Sequence, residues 1–161
     1  MTRLRIYADT SVIGGCLDVE YAEHSLRVID QVKAGRLVLL VSEVLVRELV
    51  EAPPAVRAIL ESLPLEHLEN VAIDEEVDAL RDAYVREGIL SRRWQDDATH
   101  VAAASVAGAD AIVSWNFRHI VRLDLMRRYN ETNRAMGYRD LNIVTPVEVA
   151  YGTCGEEQQD V

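Results

Sequence analysis

The chain is short of cysteine, of lysine and of long apolar runs, and each shortage removes a class of function. Its two cysteines, Cys16 and Cys154, stand far apart and belong to no C-x-x-C or Cys/His cluster, so neither a zinc site nor a disulfide framework is expected. Apolar residues fill 49% of the 161 positions. No window of about 18 of them is uninterrupted, which excludes a membrane-spanning helix on length. Met1-Thr2-Arg3-Leu4-Arg5 carries neither the apolar core nor the cleavage site of a signal peptide, and a cytoplasmic protein is expected. No G-x-G-x-x-G follows the first strand-like run, which argues against a nucleotide-binding Rossmann protein. No internal repeat or linker suggests a second domain.

Lysine occurs once, at Lys33, and 17 basic residues against 27 acids leave a net charge of −10. With a pI near 4.8, such a balance counts against a nucleic-acid binder, because phosphate binding relies on Lys and Arg. Distribution matters more than the sum. Between Asn116 and Arg139 six arginines (Arg118, Arg122, Arg127, Arg128, Arg134, Arg139) face only Asp124 and Glu131, a local excess of four positive charges. The segment reads either as a solvated face or as a phosphate track.

Strand-like and helix-like segments alternate along the chain. Leu4 to Ala8 reads as a first strand ended by Asp9-Thr10-Ser11, and Gly14-Gly15 reads as a loosened loop. Ala22 to Ala34 has helical spacing at Leu26, Ile29 and Val32, with Gly35 as its stop. Arg36 to Val41 is a second buried strand, and Ser42 is an N-cap candidate for a helix over Glu43 to Glu51 that carries Glu48. Pro53-Pro54 breaks that helix, Ala55 to Ser62 forms a short one, and Asn70 to Ile73 is a candidate third strand. Asp74 caps a stronger helix with Val77, Leu80 and Tyr84 on one face and Gly88 at its end.

The run from Trp94 to Arg118 carries the chemistry. Asp96 and Asp97 precede the alanine-rich segment Ala98 to Ala107, where Asp is well placed as a helix cap. Gly108 stops that helix, Ala109 to Ser114 reads as a short buried strand, and Trp115-Asn116-Phe117 follows it. Phe117 to Met136 reads as an Arg-rich helix or helix pair and Leu141 to Val144 as a last strand. Thr145-Pro146-Val147-Glu148 matches a capping box with Pro at the first helical position. Residues 153–161 read as a disordered tail. The expected fold is α/β, with a mainly parallel central sheet flanked by helices.

On such a sheet the carboxyl ends of strands and the amino ends of helices share one rim, where ligands bind. Asp9, Glu48, Asp97 and Asn116 would meet there as three carboxylates and an amide. Oxygen donors of this kind suit a hard divalent cation, Mg²⁺ or Mn²⁺, which would also offset their mutual repulsion. Such an ion can orient a water and stabilise charge on a phosphoryl group. Singly, the same residues read as helix caps and a turn former.

These segments together resemble the PIN domain, a metal-dependent nuclease fold, and more narrowly the VapC-like toxins of bacterial toxin–antitoxin pairs. The resemblance rests on Y-A-D-T-S-V (Tyr7 to Val12), S-E-V-L-V-R-E-L (Ser42 to Leu49), D-D-A-T-H-V-A-A-A (Asp96 to Ala104), V-S-W-N-F-R-H-I (Val113 to Ile120) and I-V-T-P-V-E-V (Ile143 to Val149). It implies a single PIN-like nuclease domain over residues 1–152. It also implies Asp9, Glu48 and Asp97 as the acidic metal ligands, with Asp96 as the alternative to Asp97. Many relatives have Asp where this chain has Asn116, whose oxygen can still hold a metal or a water but brings no charge. The resemblance further implies an RNA substrate, cleavage to a 3′-hydroxyl and a 5′-phosphate, a small antitoxin partner and a homodimer.

Secondary candidates surround this set. Ser11 or Thr10 could hold a water or phosphate near Asp9, or cap a turn. Arg118, His119 and Arg122 could contact RNA phosphates, or simply open an exposed helix. Trp115 reads as a core aromatic or as a base-stacking platform, and His100 as a packing residue or a support behind the acids rather than a ligand. A metal-dependent endoribonuclease is the first reading and a catalytically weak PIN-like RNA-binding or regulatory protein the alternative. A phosphatase on a related sheet lacks the D-x-D pattern, since Asp9 is followed by Thr10 and Ser11.

Overall fold

The computed structural model describes residues 3–152. The tail expected over 153–161 lies outside them. Strands β1 (Leu4–Ala8), β2 (Leu37–Ser42), β3 (Leu68–Val71), β4 (Ala111–Val113) and β5 (Asn142–Val144) form one sheet in the order β3-β2-β1-β4-β5. All four pairings are parallel, with Ile6 opposite both Leu39 and Ala111. Helices α1 (Thr10–Gly15), α2 (Ala22–Lys33), α3 (Glu43–Val50), α4 (Pro54–Glu61), α5 (Glu75–Arg86), α6 (Gln95–Val106), α7 (Leu123–Ala135) and α8 (Pro146–Gly152) cover both faces.

The strand period of two sorts the core into two layers. Tyr7, Leu40 and Ile112 point to one face, where they meet Tyr84, Val101, Leu125 and Tyr129 from α5, α6 and α7. Ile6, Ala8, Leu39 and Val113 point to the other, against Val12, Val28, Ile29, Leu45 and Val149 from α1, α2, α3 and α8. Burial on both faces explains why β2 reads as a continuous apolar run rather than an alternating one. Every residue of α6 from Ala98 to Ser105 is buried. Four alanines there keep the helix thin enough to lie between α5 and the sheet.

The expected start and stop signals mostly hold. Ser42 and Asp74 cap α3 and α5 by accepting from the N–H groups of Leu45 and Val77. Gly88 and Gly108 take positive φ, 75° and 67°, just past α5 and α6, where a side chain would be strained. Thr145 N–H donates to Glu148 Oε2 at 2.9 Å, one half of the expected capping box.

Five expectations need correction. Gly14 and Gly15 lie inside α1 rather than in a loop; Gly15 is small because Ser25 and Trp115 press against it. The buried face of α2 is Ser25, Val28, Ile29 and Val32, leaving Leu26 43% exposed. Residue 94 is the N-cap of α6, without a side-chain cap bond, so Asp96 and Asp97 occupy the first turn instead of capping it. The third strand runs over Leu68–Val71, two residues earlier than expected, because Leu68 pairs with Leu39. Residues 117–122 form turns, and the Arg-rich helix is α7 alone.

Candidate active site

The chain runs outward from β1 to β2 and β3, then returns to place β4 on the other side of β1. At such a reversal the loops leaving neighbouring strands part, and a crevice opens beyond their carboxyl ends. Asp9 directly follows β1 and Ser114 directly follows β4. Their side chains meet across this crevice: Ser114 Oγ donates to Asp9 Oδ2 at 2.7 Å and Ser11 Oγ to Oδ1 at 2.5 Å. Asp9 is only 4% exposed. Burial pushes its carboxyl pKa up, His100 and the two hydroxyls oppose that rise, and Asp97 adds to it.

Glu48, on α3, reaches the same rim. Thr10 Oγ1 donates to its Oε2 at 2.8 Å, and His100 Nε2 donates to Oε1 at 2.5 Å. His100 is 1% exposed. Burial alone would lower its pKa, but the bond to Glu48 and the charges of Glu48, Asp9 and Asp97 raise it; burial likewise opposes the lowering of Glu48 by His100. On its other side His100 Nδ1 shares a hydrogen bond of 2.6 Å with Tyr7 OH, and Tyr7 OH shares one of 2.6 Å with Ser42 Oγ. A buried relay of Ser42, Tyr7 and His100 thus fixes the carboxylate of Glu48.

Asp97 turns to the rim from the first turn of α6, with its side chain 25% exposed. Its Oδ2 lies 2.8 Å from His119 Nδ1. Asp96, the alternative, points away: its side chain is 57% exposed and pairs with Arg47 at 3.1 Å. Of the two, Asp97 faces the rim. Asn116 sits where expected, but its Oδ1 accepts the N–H groups of Arg118 (3.2 Å) and His119 (2.9 Å), so both lone pairs go to the turn that aims His119.

The three acids therefore share one electrostatic neighbourhood, and each is held by its own partners. Among the described residues no three His, Cys, Asp or Glu side chains converge on one point at metal-ligand distance. The donor set has the chemistry and charge for a hard divalent ion. Sharing one would bring the three carboxylates closer together than they stand here.

The secondary candidates divide. Ser11 is enclosed, donating to Asp9 and accepting from the Trp115 N–H at 2.9 Å, so it orients the acid. Arg122 makes a two-pronged pair with Asp124 at 2.7 and 2.8 Å, which lowers the Asp124 pKa to about 2. Arg128 binds the carbonyls of Glu87 and Gly88, Arg134 pairs with Asp140, and Arg139 binds the Gly108 carbonyl. A continuous phosphate track along α7 is not what these side chains form. Trp115 is a core residue, stacked on Tyr21 at 4.4 Å between centroids and donating to Ser25 Oγ at 2.8 Å.

Sequence reasoning expected His100 to pack behind the acids, where it bonds Glu48, but passed over Tyr7, Ser114 and Trp94. The spacing of His100 three residues after Asp97 on one helix was the available signal, since such residues share a face. Ser114 had none beyond its position at the end of a strand.

No protein-family model matches the chain, and no curated protein matches it in sequence. Solved structures do match. One is VapBC2 from Rickettsia felis, crystallised with a DNA fragment from its promoter, with a TM-score of 0.55 and 11% identity, covering 88% of this chain and 98% of the other. Another is FitAcB from Neisseria gonorrhoeae, with a TM-score of 0.54, 18% identity and the same coverage. At these identities the likeness concerns the fold, and it agrees with the five-stranded parallel sheet and its switch point: the chain has the PIN-like fold seen in VapBC2 and FitAcB.

Proposed function

We propose that this protein is a divalent-metal-dependent endoribonuclease, and the toxin of a toxin–antitoxin pair. The observation that carries the reading is the gathering of three carboxylates from distant segments around the buried His100 at the switch point, with Asp9 buried although Asp97 raises the cost of its charge. Structure alone gives little reason to hold such acids together, because burying an anion near another anion is unfavourable. Function does.

In this reading Asp9, Glu48 and Asp97 would hold Mg²⁺ or Mn²⁺. When bound, such an ion acidifies water and stabilises the charge gathering on a phosphoryl group. Ser11 and Ser114 keep the Asp9 carboxylate in one rotamer. His100, fixed by Tyr7, holds Glu48 on the rim, and His119, aimed by Asn116, does the same for Asp97.

The partner side of the proposal draws on VapBC2 and FitAcB, two-component complexes in which the matched chain has a companion. For this chain we propose a small antitoxin and a homodimer. Val46 and Val50, one turn apart on the outer side of α3, are 46% and 59% exposed and leave an apolar strip suited to a protein partner. No helix among the described residues is long and apolar enough to cross a membrane, and we place the protein in the cytoplasm.

Cleavage of total RNA tests the reading, using protein freed of any partner, with Mg²⁺, Mn²⁺ or EDTA. Discrete fragments should need metal and disappear in Asp9→Asn, Glu48→Gln and Asp97→Asn, while Asp96→Asn cleaves normally. Fragments that persist in the first three variants would refute the assignment. The engagement of Asn116 and of both acids with internal partners favours one second reading, a PIN-like RNA-binding or regulatory protein with little catalysis. Calorimetry with Mn²⁺ separates the two: tight RNA binding with neither metal uptake nor cleavage would establish the second.

A further inference from the structure

The 3₁₀ turn Arg92–Trp94 leads into α6 and carries an aromatic ring to the edge of the carboxylate site. Trp94 is half-buried. Its ring lies 4.6 Å from that of His119, centroid to centroid at a 34° tilt, and His119 in turn touches Asp97. The guanidinium carbons of Arg93 and Arg118 lie 4.9 and 5.4 Å from the Trp94 centroid, within cation–π range. Both arginines are exposed.

What marks this cluster is that two guanidiniums lie on one ring and on no acid. Arg5, Arg47, Arg81, Arg122 and Arg134 all pair with carboxylates. Arg128 and Arg139 bind helix-end carbonyls. Among the described residues the Arg93 and Arg118 side chains have neither kind of partner, although the chain carries 27 acids. Arg86, Arg92 and Arg127 likewise have no such partner among the described residues, but Arg93 and Arg118 are the pair that rests on one tryptophan beside Asp97. A strand of RNA approaching three carboxylates is repelled by them, so cationic contacts are needed next to the acids rather than elsewhere.

We infer that Trp94, Arg93 and Arg118 form a subsite for a nucleotide of single-stranded RNA flanking the scissile phosphate. The base stacks on the Trp94 ring, and the two guanidiniums exchange the ring for the phosphates on either side of that nucleotide. Stacking needs no particular base, because every base presents a π-face, so the subsite provides affinity and register without strong sequence choice. Trp115 has no such part, being enclosed by Tyr21 and Ser25. The inference rests on the nuclease reading for its geometry of substrate approach.

Binding of a fluorescein-labelled 12-nucleotide RNA in EDTA, where the proposed cleavage is off, tests the subsite separately from catalysis. Trp94→Ala should weaken binding about tenfold or more, and Trp94→Phe should recover much of the loss. Arg93→Ser with Arg118→Ser should reduce the slope of log affinity against log salt by about 1.4, two phosphate contacts at single-strand values. RNA should also quench the fluorescence of Trp94 in a Trp115→Phe protein. With cleavage then restored by Mn²⁺, the Trp94 variants should change KM more than kcat. Unaltered affinity and salt slope in folded variants, with cleavage intact, would overturn the subsite while leaving the nuclease reading in place. Loss of binding in a protein that never cleaves would refute catalysis and keep the subsite. Failure to bind RNA, but retention of a peptide ending in a carboxylate, would assign the arginines to a protein partner and overturn the inference.

Discussion

Alanine at Gly15 would test how firmly the first helix is clamped to the crevice. A Cβ built there lies 2.6 Å from Ser25 Oγ, 2.9 Å from Trp115 Nε1 and 3.1 Å from Trp115 Cδ1. Those atoms belong to a buried hydrogen-bonded pair, and the indole cannot retreat easily because Tyr21 stacks on it at 4.4 Å. Overpacking of this kind costs about 1–3 kcal/mol. Parting Trp115 Nε1–H from its acceptor adds about 1–3 kcal/mol for a buried donor left unmatched. Helix propensity returns about 1 kcal/mol. The net loss is then about 1–5 kcal/mol, or about 2–20 °C in Tm for a domain of this size.

Gly14 supplies the control, since a Cβ there meets nothing within 4 Å. Gly14→Ala should keep the propensity gain and raise Tm by about 2–4 °C. Thermal and urea unfolding followed by circular dichroism would measure both. Equal stability of the two variants would refute the packing argument. The site should feel the change as well: Trp115 N–H binds Ser11 Oγ, and Ser11 and Ser114 hold Asp9, so a displaced Trp115 loosens the proposed catalytic acid.

Other parts of the molecule yield tests of their own. Arg5 joins Glu69 to the carbonyls of Ala107 and Gly108 at 2.9 and 3.0 Å; Arg5→Ala should cost about 1–2 kcal/mol in urea unfolding, reduced from the full bond count by solvent screening, and Arg5→Lys somewhat less. Burial pushes the Cys16 thiol up to about 11, so in a Cys154→Ser protein its alkylation by iodoacetamide should still be accelerating at pH 10; a plateau near pH 9 would contradict this. Tyr84→Phe removes the hydroxyl that donates to the buried Asn133 side chain and should lower stability by about 1–3 kcal/mol, detectable as a shifted urea midpoint at constant m-value.

Much of the scaffold was legible because its signals are local. Ser42, Asp74, Gly88 and Gly108 stop or start helices through their own backbone and nearest neighbours, and β2 betrays its burial by an unbroken apolar run. Gly14-Gly15 misled for the converse reason. Two glycines lower helix propensity, yet a contact with Trp115, a hundred positions away, requires the second to lack a side chain. Local preference lost to packing. Leu26 failed similarly: Ile29 and Val32 lie on the buried face as expected, but Ser25 is buried in place of Leu26 because it receives the Trp115 indole.

The site shows where such reading stops. The order of Asp9, Glu48 and Asp97 was visible, but which of Asp96 and Asp97 faces the rim depends on 100° of rotation per residue and on a helix start at Gln95 that no side-chain cap announces. The histidines are a sharper case. Nothing near His100 or His119 in the sequence names Glu48 or Asp97 as a partner 52 or 22 positions away. Those contacts exist only once the fold sets α3, the start of α6 and the turn after β4 side by side. The two tryptophans follow the same logic in reverse. Trp94 lies between Arg92-Arg93 and Gln95-Asp96-Asp97, Trp115 between Val113-Ser114 and Asn116-Phe117, and the polar surroundings of the first already mark it as the ring left at the surface, where a nucleotide can reach it.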